Sequence, residues 1–185
     1  MQKNEFDKLK IPDVVLINSF CLTDERGSLV KEYSREILVA NRIAFNVCET
    51  LFLSSYQGVL RGLHFQRMKP QAKIIYCLEG SVWAVVVDVR CDSASFGKWV
   101  SVDLSSNTRQ VLFVPAGCAL GTLALKDSLL SCHCGENFFP EYAAGIRWDD
   151  RNLGIDWPIQ ELGFRPIISI KDQCLPSLQQ VLDGD

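Results

Sequence analysis

The segment from Gly58 to Gln66 carries the residue types in this chain that are best suited to chemistry. It reads Gly-Val-Leu-Arg-Gly-Leu-His-Phe-Gln and contains His64, one of only two histidines in the sequence. A histidine gains and loses a proton near neutral pH, and the guanidinium of Arg61 can hold a phosphate through paired hydrogen bonds. The segment therefore suits a site at which a proton moves close to a phosphate. A core strand with one buried structural histidine is the alternative.

The spacing of these two residues makes a structural demand. Side chains alternate along a regular strand, so Arg61 and His64, three residues apart, cannot share one face. If both serve one site, the backbone must bend between them. Gly62 is the residue at which a bulge or a close backbone approach is easiest.

Short strands separated by turns dominate the rest of the chain. Residues 73–78 and 81–89 flank Glu79-Gly80, which predicts a β-hairpin. Further strands are predicted at Trp99–Leu104, Val111–Val114, Gly121–Ala124 and Ser128–Cys134, with a turn at Asp24–Gly27. Modest helix signals cover Ser34–Asn41 and Leu175–Leu182. This pattern favours an all-β sandwich or barrel over an α/β fold.

Composition narrows the class of protein. The chain has 185 residues, and the simplest organisation is one domain over residues 1–185. A net charge of −3 gives no reason to expect a nucleic-acid partner or an anionic membrane surface. No apolar run approaches the length of a membrane span, and the polar start of the chain lacks the apolar region of a signal peptide. We therefore expect a cytoplasmic protein.

The eight cysteines do not require a disulfide framework. Without a secretory signal, buried reduced thiols are the better interpretation of cysteines in apolar, strand-like segments. Cys132-His133-Cys134 resembles a set of metal ligands, but a zinc site needs four ligands at favourable spacing and no second cluster is evident. We expect no metal.

Several segments in a fixed order resemble the nucleotide-sugar epimerases typified by the dTDP-4-dehydrorhamnose 3,5-epimerase family. Residues 24–27, 58–66, 71–73, 96–100, 145–150, 153–158 and 169–172 carry the resemblance, which covers most of the chain. The resemblance implies a cupin-type jelly roll with a few short helices. It also implies a homodimer whose partner strands help to complete the sites, and neither a metal nor an organic cofactor.

The same resemblance implies a substrate and roles for individual residues. The substrate is a nucleoside-diphosphate 4-keto-6-deoxyhexose, whose ketone acidifies the protons on C3 and C5. His64 matches the base, Asp172 the carboxylate that orients it, and Lys73 a cation near the oxygen where enolate charge develops. Arg61 matches a residue that binds the diphosphate. Substrate contacts are also implied for Arg26, Gln66 and Glu49.

Several family positions are altered in this chain. Phe138 stands where the resemblance places the tyrosine that acts as the acid, and Leu120 stands in place of a second histidine. Glu49 and Leu51 replace a glutamine and an asparagine that face the substrate. Lys31 replaces a glutamate that helps to bind thymine, so a base other than thymine is a hypothesis.

The nucleotide end has one alternative reading. Glu32 follows Lys31 directly, and a slip of one residue would restore the missing carboxylate. Lys31 and Glu32 are therefore both candidates for the residue at the thymine-binding position.

These alterations leave three functions open. The first is epimerisation at C3, C5 or both, with the far-face proton coming from water or another side chain. If residues 131–138 continue as one strand, Cys132, Cys134 and Glu136 share a face with Phe138, and one of them could donate this proton. Tyr142, folding back from its loop, is a further candidate for the proton donor. The second is a non-catalytic nucleotide-sugar binder or an inactive partner subunit. The third is a 3,4-ketoisomerase. We rank them in that order.

Overall fold

The computed structural model describes residues 5–163 and 165–183. Within them the chain is mostly strand. The strands are β1 (Glu5–Lys8), β2 (Val15–Asn18), β3 (Phe20–Asp24), β4 (Gly27–Lys31), β5 (Glu49–Ser55), β6 (Val59–Gln66), β7 (Lys73–Glu79), β8 (Ser81–Asp88), β9 (Trp99–Ser105), β10 (Gln110–Val114), β11 (Cys118–Ala124), β12 (Ser128–Cys134), β13 (Ala143–Gly145) and β14 (Ile167–Ile168). The strands predicted over residues 99–134 are confirmed, each within three residues of its predicted bounds.

The helices are few and short, as expected. They are α1 (Arg35–Ala40), α2 (Ile159–Leu162), α3 (Ile170–Gln173) and α4 (Leu178–Asp183), with one 3-10 turn at Pro140–Tyr142. Ser34 and Asn41 flank α1 as its caps, so the first predicted helix is confirmed. The second begins at Leu178 rather than Leu175 because Pro176 separates the two, and the residue before a proline disfavours helical backbone.

Two antiparallel sheets make up the body of the fold. The first sheet has the order β1-β2-β10-β7-β12-β5, and the second has the order β13-β6-β11-β8-β9 with β14 parallel to β6. One apolar core cluster draws residues from both sheets, including Ile75 and Cys132 from the first and Val86 and Ala124 from the second. Two sheets packed around a shared core form the cupin-type jelly roll, so the expected fold class is confirmed.

The hairpin predicted around Glu79-Gly80 is wrong. β7 pairs with β10 and β12 in the first sheet, whereas β8 pairs with β9 and β11 in the second. Gly80, with φ +73°, turns the chain from one sheet into the other. Both strands are buried almost throughout, so they carry no polar face that would have distinguished a sheet change from a hairpin.

A separate two-stranded hairpin, β3–β4, stands apart from the two sheets. The predicted turn at Asp24–Gly27 is confirmed, and the Asp24 carboxylate accepts hydrogen bonds from the Arg26 backbone and guanidinium. Over the described part of the chain, no helix has the length and apolar character needed to cross a bilayer.

Candidate active site

A cavity of about 610 Å³ lies between the two sheets, and residues of β6 and β12 are among those that line it. The first sheet contributes residues of β5, β7 and β12, and the second contributes residues of β6, β11 and β13. The helix α3 closes one side. Volumes of this size accommodate small organic ligands.

Gly62 sits in a bulge, as the spacing predicts. On β11, Leu120 pairs with His64 and Thr122 pairs with Arg61, so β6 carries one extra residue over this stretch. Gly62 has φ +112°, and a Cβ there would lie 2.7 Å from the backbone oxygen of Leu120. The bulge turns Arg61 and His64 toward the same cavity, which both of them line.

His64 and Asp172 form the centre of the site. The Nε2 atom of His64 lies 2.8 Å from Oδ1 of Asp172, and Oδ2 of Asp172 accepts the Gly62 amide proton at 3.1 Å. The Asp172 side chain is only 6% exposed, whereas 45% of the His64 side chain is exposed. The carboxylate is therefore fixed in the protein, and the imidazole that it holds faces the open cavity.

The short helix α3 presents Asp172 to the histidine. Ser169 caps this helix, and its hydroxyl accepts the Asp172 amide proton at 3.1 Å. The preceding strand β14 pairs with β6, so Ser169 and Asp172 are anchored to the strand that carries His64. Ser169 was not singled out from the sequence, although a serine three residues before an acidic residue is a recognisable helix-start signal.

Lys73 reaches the cavity from the opposite sheet. It lies on β7, pairs in register with Cys134 of β12, and lines the cavity. Glu49 of β5 lies on the other side of Cys134 in the same row. Gln71 donates to Glu49 at 3.3 Å and to the backbone oxygen of Glu136 at 2.7 Å. Gln71 is thus a cavity residue whose role in holding Glu49 the sequence did not reveal.

Arg61 is held at the rim by its neighbours. Its Nε atom donates to the Ser55 hydroxyl at 3.0 Å, and a terminal nitrogen donates to the Ser54 backbone oxygen at 2.9 Å. These contacts to the end of β5 fix the guanidinium at the cavity mouth. Neither serine was identified as part of the site from the sequence.

Gln66 lines the cavity, but its amide is engaged by the backbone. Its nitrogen donates to the oxygens of Lys69 and Asn137 at 2.6 and 3.2 Å, and its oxygen accepts the Phe139 amide proton at 2.9 Å. The segment that it holds carries Phe138, which lines the cavity with half of its surface exposed. Gln66 therefore positions this wall of the cavity.

Three residues do not line the cavity within this chain: Arg26, a predicted substrate contact, and Lys31 and Glu32, the two residues considered for the thymine end. Arg26 projects from the β3–β4 turn, where it pairs with Asp24. Lys31, at the end of β4, lies 5.7 Å from the ring centre of Phe20. Glu32 lies beside His133, with its Oε1 atom 3.2 Å from Nε2 of the histidine, but this oxygen has no hydrogen-bond partner among the described residues.

The Cys132-His133-Cys134 segment cannot bind one metal ion with all three side chains. Cys132 and Cys134 line the cavity, whereas His133 points to the other face of β12 and lies 2.8 Å from the Thr50 hydroxyl. Among the described residues, no cluster of three or more metal-binding side chains is found. The idea that the strand continues to residue 138 is wrong, because β12 ends at Cys134.

Leu51, Leu120 and Phe138 also line the cavity, so these three altered positions are brought together there, whereas the fourth, Lys31, is not among the lining residues. The result is a cavity with a carboxylate-held histidine on one sheet, a lysine on the other, and an otherwise largely apolar lining. A base and a cation that face a common space from opposite sheets suit proton abstraction next to a carbonyl group. The fold and the site together define a cupin-type protein with a cavity suited to proton-transfer chemistry.

The comparison with known proteins identifies the family. Residues 8–180 match the model of the dTDP-4-dehydrorhamnose 3,5-epimerase family. A dTDP-4-dehydrorhamnose 3,5-epimerase of Methanothermobacter thermautotrophicus is 39% identical over 174 residues, which are 94% of each chain. The chain belongs to the dTDP-4-dehydrorhamnose 3,5-epimerase family, whose members are isomerases acting on 4-keto-6-deoxy sugars.

Solved structures agree with this assignment. The dTDP-6-deoxy-D-glucose-3,5-epimerase of Legionella pneumophila, in complex with dTDP-4-keto-L-rhamnose, has a TM-score of 0.91 and 30% identity, with 97% of this chain and 95% of that one covered. A 3'-monoepimerase of Streptomyces bikiniensis, in complex with dTDP-quinovose, has a TM-score of 0.88 and 28% identity, with 95% and 89% covered. Both double and single epimerases thus share this fold.

Proposed function

We propose that this protein inverts C3, C5 or both carbons of a nucleoside-diphosphate 4-keto-6-deoxyhexose through an enolate intermediate. The observation that carries the proposal is the His64–Asp172 pair, with Nε2 and Oδ1 2.8 Å apart, on the wall of a cavity that Lys73 enters from the other sheet. Family membership supports the reaction class, and the sugar complexes of related structures support the substrate class.

In this reaction His64 removes a proton from the carbon next to the C4 ketone. The imidazolium that forms is stabilised by the buried Asp172 carboxylate beside it. The electron pair moves to the ketone oxygen, where the ammonium of Lys73 offsets the developing negative charge. Delivery of a proton to the opposite face of the carbon, followed by collapse of the enolate, inverts the centre.

Arg61 is our candidate for the diphosphate contact. Its guanidinium lies at the cavity mouth, held by Ser54 and Ser55, and a fixed planar fork suits a phosphate. Leu51, Leu120 and Phe138 give the cavity apolar surface, which is compatible with a sugar that lacks the hydroxyl on C6.

A homodimer is part of the proposal. β5 is an edge strand of the first sheet, and its Phe52 is 69% exposed. The projecting β3–β4 hairpin exposes Leu22 and Leu29, at 57% and 59%, and carries Arg26 at its turn. Such apolar, unpaired strand surfaces are typical of an interface between copies.

Analytical ultracentrifugation tests this part. We expect a dimer for the unaltered protein and a monomer for a Phe52→Asp, Leu29→Asp double variant, with Lys126→Asp as a charge-changing control. A monomeric unaltered protein at micromolar concentration would contradict the dimer. The cytoplasmic location and the lack of a cofactor remain predictions of the sequence.

The second candidate function is a non-catalytic nucleotide-sugar binder or an inactive partner subunit. Phe138 favours it, because this cavity residue has no proton to give at a position where the resemblance implies an acid.

Incubation in D2O separates the two candidates. A set of dTDP-, CDP-, GDP- and UDP-linked 4-keto-6-deoxyhexoses is incubated with the protein, and NMR follows deuterium at C3 and C5. The epimerase reading predicts deuterium at one or both carbons together with product of inverted configuration. Binding without exchange on every sugar would favour the binder.

A further inference from the structure

Two thiols occupy the cavity wall that faces His64. Cys132 and Cys134 are two residues apart on β12, so both side chains point to the cavity side of the first sheet, and their sulfurs are 3.9 Å apart. Both residues are almost fully buried within the protein, at 4% and 1% exposed. His64 reaches the same cavity from β6 of the second sheet.

Cys132 has the central place on this wall. Cys132 pairs with Leu51 of β5 on one side and with Ile75 of β7 on the other. Both of these neighbours also line the cavity. Cys134 lies one row along, between Glu49 and Lys73. The Cys132 thiol therefore has apolar neighbours in the sheet, whereas the charged residues Glu49 and Lys73 flank Cys134.

Few other groups on this wall can deliver a proton to carbon. Among its described cavity-lining residues, only Lys73 and Glu49 carry ionisable groups besides the two thiols. Lys73 faces the enolate oxygen in the proposed reaction, and Glu49 accepts a hydrogen bond from Gln71. Phe138 has no exchangeable proton.

The two remaining candidates from the sequence are not among the residues that line the cavity. The carboxylate of Glu136 accepts the Asn137 amide proton at 2.8 Å, and the ring of Tyr142 packs against that of Phe139 with centres 5.7 Å apart. Both side chains are thus directed into the segment that follows β12.

We propose that Cys132 is the catalytic acid of this chain, delivering its thiol proton to the face of the enolate opposite His64. The inference rests on the proposed epimerase function. His64 takes the substrate proton and becomes an imidazolium, and the S–H bond of Cys132 breaks as the new C–H bond forms. The ketone is restored and Cys132 is left as a thiolate. Transfer of one proton from imidazolium to water, and of one from water to the thiolate, returns both groups to their starting state.

Cys134 is the positioning residue for this acid. Hydrogen bonding to Cys134 and burial both raise the pKa of the Cys132 thiol, so Cys132 keeps its proton at rest. The contact with Cys132 lowers the pKa of Cys134, and the nearby Lys73 ammonium acts in the same direction. The nearby Lys73 ammonium acts in the opposite direction on the pKa of Cys132, and its positive charge stabilises the thiolate left after proton delivery.

The test separates proton removal from inversion. Cys132→Ala, Cys132→Ser and Cys134→Ala are compared with Cys77→Ala, which removes a buried thiol of the same sheet that does not line the cavity. Each variant is incubated in D2O with a 4-keto-6-deoxyhexose nucleotide that the unaltered protein converts. NMR measures deuterium in recovered substrate, which reports His64, and the yield of inverted product, which reports the acid.

For Cys132→Ala and Cys132→Ser we expect inversion to fall about 100-fold or more, the scale of a lost general acid, with deuterium exchange into recovered substrate retained. Cys134→Ala slows inversion less, and Cys77→Ala retains it. The serine variant keeps the side-chain volume, so it tests the acid even if the alanine variant is unstable.

Inversion by Cys132→Ser at the rate of Cys77→Ala would overturn the assignment and leave the epimerase function intact. If exchange and inversion fall together in Cys132→Ser, Cys132 is not the acid of a separate second step and the assignment is also overturned. Absence of both exchange and inversion in the unaltered protein would overturn the epimerase function and the assignment with it.

Discussion

Asp172 and His64 are joined through a single ring nitrogen: Oδ1 of Asp172 lies 2.8 Å from Nε2 of His64. The second carboxylate oxygen accepts the Gly62 amide proton at 3.1 Å, so the group acts as an acceptor on both sides. Nε2 must therefore carry the proton, and the free electron pair of the neutral imidazole lies on Nδ1. In the proposed reaction, Nδ1 is then the atom that removes the substrate proton.

Asp172→Asn tests this orientation. The amide can offer an N–H to Nε2, which would move the ring proton to Nδ1 and remove the base. We expect deuterium exchange at the substrate carbon to slow by about 100-fold or more, with the fold unchanged by circular dichroism. Asp103→Asn, an exposed change on β9, is the control. Equal exchange rates in the two variants would show that the carboxylate does not orient the base.

Lys73→Met tests stabilisation of the enolate. The change keeps an unbranched side chain but removes the positive charge on the wall opposite His64. Loss of one preorganised electrostatic group of this kind slows turnover by about 100-fold or more, and we expect that fall in kcat. Lys98→Met, at an exposed position, is the matched control. A changed KM with unaltered kcat would instead make Lys73 a substrate-binding residue.

The preference of the protein for one nucleotide base can be measured by binding, without turnover. Lys31 stands at a position where the resemblance implies a glutamate, and the Glu32 carboxylate lies beside His133, with Oε1 3.2 Å from Nε2, rather than in the cavity. We therefore expect dTDP, CDP, GDP and UDP to bind within about tenfold of one another, or about 1.4 kcal/mol, by calorimetry. A dTDP preference well beyond tenfold would contradict this expectation.

Asp88, which lies away from the cavity, is predicted to contribute to the stability of the fold. Its carboxylate is fully buried and accepts hydrogen bonds from Arg90, Ser93 and Ser95 at 2.6–2.8 Å. Removing one partner of such a buried pair costs about 3–5 kcal/mol, so Asp88→Ala should lower the urea midpoint markedly. Asp149→Ala, in an exposed ion pair with Arg147, should change it little. Similar midpoints for the two variants would contradict the assigned role.

The same carboxylate makes stability depend on pH. Burial raises the pKa of Asp88, but the hydrogen bonds from Arg90, Ser93 and Ser95 outweigh it and hold the pKa below its usual range. A lowered folded-state pKa stabilises the protein above the unfolded pKa of about 4, and this contribution is lost as the pH falls below it. We expect the urea midpoint to fall between pH 5 and pH 3 more steeply in the unaltered protein than in Asp88→Asn. Parallel curves would contradict this.

The local sequence predicts much of the site but not its long-range partners. The bulge at Gly62 follows from the three-residue spacing of Arg61 and His64, because strand periodicity leaves no other way to bring both to one cavity. By contrast, the switch of sheets at Gly80 depends on which distant strands pair with β7 and β8. A turn signal between two buried strands does not contain that information.

The sequence also does not predict which side chains of β12 and the segment after it line the cavity opposite His64. Strand alternation places Cys132 and Cys134 on one face, but β12 ends at Cys134, and Gln66 holds the backbone of residues 137 and 139 that follow. Those contacts join residues about 70 positions apart in the sequence. Glu136 lies beyond the end of the strand and is not among the residues that line the cavity, which the local sequence does not reveal.

The most direct test of the account is deuterium exchange by His64→Asn. The asparagine retains a polar side chain that can bond Asp172 but supplies no base of suitable pKa. In D2O with a 4-keto-6-deoxyhexose nucleotide, we predict that NMR detects no deuterium at C3 or C5 while calorimetry still detects nucleotide binding. Exchange at the rate of the unaltered protein would contradict the assignment of His64 as the base.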